Sequence, residues 1–112
     1  MSPTRLSLQW LKTKGYSVAI AEHWNSFAEI RQDLFGFIDL IAVHPHYPGV
    51  LAVQTTTKPN MNARIKKIQA NHVSRVWLLA GNEIQVHGWY QQKVRAPWQL
   101  CHQSLGTRNR IQ

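Results

Sequence analysis

The stretch Phe37-Ile38-Asp39-Leu40-Ile41-Ala42-Val43 is apolar on both faces of any strand it forms, and so is Val50-Leu51-Ala52-Val53. Runs of this kind belong in the central strands of a covered sheet, because both faces of the pleat must be shielded from water. Asp39 interrupts the first run. Aspartate is depleted in strands. An unpaired carboxylate in an apolar setting is costly, or else stays protonated. A cation, a metal or a strong donor has to compensate it. The second run leads straight into Gln54-Thr55-Thr56-Thr57-Lys58. Two neighbouring central strands that each present polar groups mark a site.

The elements around this pair follow from punctuation and period. Ser2-Pro3 reads as N-cap and first residue of a helix over about residues 3 to 14, with Leu6, Trp10 and Leu11 as its apolar stripe and Gly15 as its end. Tyr16 to Ala21 reads as a strand. His23 to Phe35 has no clear period, with a turn suggested at Trp24-Asn25-Ser26-Phe27. His44-Pro45-His46-Tyr47-Pro48-Gly49 is a turn-rich connector, so the strands Phe37–Val43 and Val50–Thr56 form a hairpin. Asn60 or Asn62 caps a helix to about Asn71, with Met61, Ile65, Ile68 and His72 on one face and Arg64, Lys66 and Lys67 on or beside the other. Val73–Ala80 reads as a strand, Gly81-Asn82 as a turn, Ile84–Tyr90 as a strand and Trp98–Cys101 as a short further element. Residues 1–105 form a single domain, and Gly106 to Gln112 a basic, frayed tail.

Charge narrows the class of partner. Thirteen Lys+Arg against five Asp+Glu give +8, which favours a polyanion, nucleic acid ahead of a membrane surface. Four of the five acids (Glu22, Glu29, Asp33, Asp39) fall within eighteen residues, whereas Leu40 to Gln112 carries nine Lys/Arg and one acid, Glu83. An acidic focus on a basic body suits a metal site facing a phosphate backbone. The single cysteine, Cys101, excludes a disulfide framework and a cysteine-based zinc site and reads as a small hydrophobe. The N-terminus has no signal-peptide core and no run has the length of a membrane span, so a cytoplasmic protein is expected.

The order helix, three strands, helix, strand, with Gly36-Phe37-Ile38-Asp39-Leu40-Ile41-Ala42 followed by Gly49-Val50-Leu51-Ala52-Val53-Gln54-Thr55-Thr56, resembles the PD-(D/E)XK nuclease superfamily. That group includes Holliday-junction resolvases, phage-type nucleases and many restriction enzymes. The resemblance covers about residues 3 to 80. It implies an α/β fold with an α-β-β-β-α-β restriction-endonuclease-like core, a mixed central sheet flanked by helices. It also implies a Mg²⁺- or Mn²⁺-dependent endonuclease of phage or mobile-element type acting on DNA, compatible with a homodimer. Ile38 stands in place of the family proline, Gln54 at the family glutamate and Thr56 at the family lysine.

On that likeness Asp39, Gln54, Thr56 and Lys58 form the catalytic set. Asp39 is the bridging metal ligand, Gln54 a neutral one, and Glu22, at the end of the first strand, the second carboxylate. Lys58 shares a strand face with residues 54 and 56 and stands in for the missing lysine, with Lys66 and Lys67 as second choices. Glu29 and Asp33, near Arg31, are outer candidates, with a local ion-pair or helix-turn role expected of them. Arg31, Arg64, Lys66, Lys67 and an exposed Trp89 are the nucleic-acid contacts, whereas Trp77 packs in the core and His44-x-His46 serves its turn. The alternative is a catalytically inactive member that binds nucleic acid through the same basic surface. A third reading, an unrelated basic α/β interaction module, expects Asp39 to be exposed or paired with Arg31.

Overall fold

The computed structural model describes residues 1–106. The expected basic tail lies almost wholly outside the described residues. Helix α1 (Pro3–Thr13) starts as its sequence dictates: Ser2 accepts a hydrogen bond from the Arg5 backbone N–H and Pro3 opens the first turn. Strand β1 (Ser17–Ile20) leads into a hairpin of β2 (His23–Asn25) and β3 (Ile30–Gln32). There follow β4 (Leu40–His44), β5 (Tyr47–Thr57), a 3₁₀ turn over Lys58–Asn60, α2 (Met61–Gln69), α3 (His72–Leu79), β6 (Glu83–Tyr90) and β7 (Gln99–Leu105).

The main sheet has the order β1-β4-β5-β6-β7. Strands β1, β4 and β5 form an antiparallel meander, β5 and β6 are parallel, and β7 closes the edge antiparallel to β6. A parallel pair needs a crossover, and α2 with α3 supplies it. The described residues thus form an α/β fold with a five-stranded mixed sheet and three helices.

Both faces of the sheet are covered, which explains why β4 and β5 lack polar alternation. Leu40, Ala42, Leu51 and Val53 pack with Leu11 of α1, whereas Ala52, Ile84 and Val86 pack with Met61, Ile65 and Ile68 of α2. Residues 51 and 53 of β5 therefore face α1. Thr55 continues that face, its hydroxyl 2.8 Å from that of Thr4.

Two elements differ from expectation. Val73–Ala80 is not a strand; α3 occupies it, with Asn71 accepting a capping bond from the Val73 N–H. Two valines and a tryptophan gave it strand-like composition. Yet Val73, Trp77 and Leu78 recur at helical spacing and meet the core together, and burial outweighed propensity. The run Phe37–Val43 is likewise only partly strand: Phe37 and Ile38 are fully buried but lie in a turn that bridges Leu34 to Ile38, and β4 begins after Asp39.

Ser7 and Leu11 are the buried residues of α1, with Leu6 and Trp10 beside them. A serine takes a core position because it has two partners. Its hydroxyl accepts from Trp89 Nε1 at 2.8 Å and lies 2.9 Å from His87 Nδ1, while His87 Nε2 is 3.0 Å from Gln85 Oε1. The expected exposure of Trp89 is therefore corrected. It is 5 % exposed and tied to α1, with no face left for a nucleobase.

Candidate functional site

Asp39 precedes β4 by one residue, yet the sheet fixes its backbone: its N–H donates to Val53 O at 2.9 Å and its carbonyl accepts from Ala21 N at 2.8 Å. The side chain is 5 % exposed. Its Oδ2 accepts three hydrogen bonds, from Gln54 Nε2 (2.8 Å), Thr55 N (2.7 Å) and Thr55 Oγ1 (3.1 Å). Asp39 is thus neither exposed nor dependent on Arg31, contrary to the third reading.

The structure brings Glu22 and Asp33 to the same point. One carboxylate oxygen from each of Glu22, Asp33 and Asp39 lies within 4.8 Å of the others. Glu22 immediately precedes β2 and Asp33 immediately follows β3. His23 pairs with Gln32, so the two acids flank the open end of the hairpin, one step beyond its last pair. The hairpin folds the chain back and delivers both to Asp39. Glu29, at the hairpin's turn, is exposed and outside the cluster.

Gln54 ties two of these acids together. Its Nε2 donates to Asp39 Oδ2 and also to Asp33 Oδ2 at 3.2 Å. Its Oε1 is buried without a hydrogen-bond partner, the one such side-chain atom among the described residues. An orphaned buried acceptor is a standing cost. The electrostatics match this picture. Burial, followed by a hydrogen bond shared with Asp33, raises the Asp39 pKa from 3.8 to about 7, against the opposing bond from the Thr55 N–H.

Asp33 and Asp39 open into a cleft of about 350 Å³ lined also by Pro3, Thr4, residues 54–57 and Arg64. A second hollow of about 500 Å³ adjoins it through Asp33 and is lined by Arg31, Gln32, Gly36 and Lys67. Arg31, Arg64 and Lys67 therefore border the acidic centre, whereas Lys66 is exposed on α2 and lines neither hollow.

Thr56 lines the cleft at the position the resemblance gives to lysine. Lys58 does not turn back toward it. The strand ends at Thr57, Lys58 enters the 3₁₀ turn, and its Nζ sits 4.4 Å from the centre of the Tyr90 ring. Among the described residues Arg64 is the only cationic side chain lining the acidic cleft. His44 closes its own turn: Nδ1 accepts from the His46 N–H, and Nε2 lies 3.1 Å from Lys14 O.

The three carboxylates of Glu22, Asp33 and Asp39 could hold a metal ion. Sequence reasoning placed Glu22 and Asp39 here but kept Asp33 outside. The available signal was a turn centred between residues 22 and 33, which makes them neighbours across a hairpin. No protein-family model matches the chain, and comparison with curated proteins and with solved structures likewise finds no match.

Proposed function

We propose that this protein is a metal-dependent nuclease of the PD-(D/E)XK type that hydrolyses phosphodiester bonds in DNA. The observation that carries the reading is the convergence of Glu22, Asp33 and Asp39, two of them bonded to Gln54, at the end of two central strands and beside Arg31, Arg64 and Lys67. The topology supports it. The resemblance implies an α-β-β-β-α-β core in a mixed sheet; here the strand that follows the helical crossover is β6 rather than Val73–Ala80, and the β2–β3 hairpin, α3 and β7 are additions to that order.

Glu22, Asp33 and Asp39 would hold the cation. Bound there, Mg²⁺ or Mn²⁺ supplies Lewis acidity to the phosphoryl group and lowers the pKa of an attacking water. Gln54 positions two of the acids, and its unsatisfied Oε1 gains nothing from its present orientation once the acids are neutralised. Arg64 is the charge that faces the phosphate, in place of the lysine. A guanidinium binds phosphate oxygens in a fork but does not deprotonate, so it cannot serve as a base.

The test is cleavage of plasmid, linear and branched DNA with Mg²⁺, Mn²⁺ or EDTA, beside Asp39→Ala. Cleavage that needs the metal, and falls at least a hundredfold in a folded Asp39→Ala, supports the reading. A second reading, a non-cleaving nucleic-acid-binding protein on the same scaffold, is favoured by one observation: Thr56 replaces the lysine and Lys58 is engaged by Tyr90. No cleavage of any substrate, with salt-sensitive binding retained by Asp39→Ala, selects it.

A further inference from the structure

The β2–β3 hairpin has its own chemistry. It is a two-stranded ribbon outside the main sheet. Such a ribbon has no core of its own, and this one leaves its large apolar side chains in water. Phe27 at the turn is 101 % exposed, Trp24 58 % and Ile30 50 %. Trp24 lies directly opposite Arg31, so an indole and a guanidinium share one face of the ribbon. The turn is built rather than slack. Asn25 Oδ1 accepts from the N–H groups of Phe27 (3.0 Å) and Ala28 (3.1 Å), and Asn25 Nδ2 donates to Gln32 Oε1 (3.1 Å). These bonds fix the backbone of the turn that carries Phe27. The base of the ribbon carries Glu22 and Asp33, two of the three clustered acids.

We infer that the hairpin engages unpaired bases of the nucleic acid, stacking them on Trp24 and Phe27 while Arg31 holds the adjoining phosphate, so that the acidic centre acts beside a loop, branch or single-stranded segment rather than within uniform duplex. The inference deepens the nuclease reading and rests on it for the identity of the centre. Three features select this occupant. Aromatic faces bind any unstacked base without sequence preference. Arg31 and Lys67, lining the hollow next to Asp33, complement a phosphate backbone. The surface is continuous with the centre, because Glu22 and Asp33 adjoin β2 and β3. A fully paired duplex hides its base faces and offers the aromatic side chains nothing to stack on.

The experiment is binding by the full chain in EDTA, which separates binding from cleavage. Matched 30-nucleotide probes would be a perfect duplex, a duplex with a four-base unpaired loop and a single strand, with 2-aminopurine at one unpaired position. The expected result is at least tenfold tighter binding of the looped and single-stranded probes than of duplex, with quenched 2-aminopurine emission. Trp24→Ala and Phe27→Ala would each weaken binding of unpaired probes about tenfold, with duplex binding little changed. Both side chains are surface residues, so the variants fold. Arg31→Ala would weaken all three probes. Equal affinity for all probes, or loss of quenching in neither variant, overturns the inference. So does a wild-type protein that self-associates through this patch, seen as a sedimentation change abolished by Phe27→Ala without any effect on DNA. Discrimination without metal-dependent cleavage would leave the hairpin's role standing and remove the nuclease reading.

Discussion

Asp39 and His87 are two buried titratable side chains whose pKa values move in opposite senses. Asp39 rises from 3.8 to about 7, through burial and then the bond shared with Asp33. His87 falls from 6.5 to about 3, through burial and then the neighbouring His102. Between pH 3.8 and 7 folded Asp39 holds a proton that the unfolded chain has released. Its contribution is therefore complete below 3.8 and lost as pH rises through 7. Between pH 6.5 and 3 the unfolded chain binds a proton that folded His87 refuses, so its contribution is complete above 6.5 and lost on acidification. Each slope is about 1.4 kcal/mol per pH unit, and over the shared interval they offset one another. Urea denaturation from pH 4 to 6.5 should find Asp39→Asn losing stability on acidification more steeply than the parent. His87→Gln should show the reverse displacement. Identical slopes in all three proteins would contradict this account of both side chains.

Gln54 invites a second test at the same scale. Gln54→Glu places a fourth carboxylate against Asp33 and Asp39. Without metal the variant should unfold about 1–3 kcal/mol more easily at pH 8 than the parent. Saturating Mg²⁺ or Mn²⁺ should raise its Tm more than the parent's. On the nuclease reading, combining it with Thr56→Lys should raise metal-dependent cleavage at least tenfold.

Among the elements, β6 shows how closely the layers approach. A Cβ at Gly88 would lie 2.4 Å from the Met61 thioether and 3.0 Å from the Lys58 Cα, so glycine is what lets the 3₁₀ turn and α2 settle onto the strand. Gly88→Ala should cost about 1–3 kcal/mol in chemical denaturation, because the Met61 side chain can yield but the Lys58 backbone cannot without cost. The elements also differ in how far they were legible. Helix α1 and strands β5 and β6 follow from caps, turns and apolar runs that act within a few residues. Helix α3 did not, because short apolar segments rich in valine fit either period until a partner surface is known. The hairpin was illegible for a related reason: its apolar side chains face water, so burial imposes no alternation on it.

Over the whole molecule, a net charge of +8 accompanies a small acidic centre. If the cleft and its neighbouring hollow track a phosphate backbone, affinity should fall linearly with the logarithm of salt concentration. Arg31→Ala, Arg64→Ala and Lys67→Ala should each reduce that slope by about 1 in anisotropy titrations between 50 and 200 mM salt. Lys58→Ala should leave it unchanged, since that ammonium lies over Tyr90 rather than in the cleft.

What the sequence by itself determined was the covered sheet, its β4–β5 pair, and the singular position of Asp39 and Gln54 within it. An apolar run fixes its own burial, and a carboxylate inside one demands an answer whatever the rest of the chain does. Only the tertiary structure decided that Asp33 joins Glu22 and Asp39, that Lys58 leaves the site, and that Trp89 is sealed by Ser7 and His87. Each of these depends on pairing between residues distant in the chain. Strand register and helix placement set such pairing, and no local period records them.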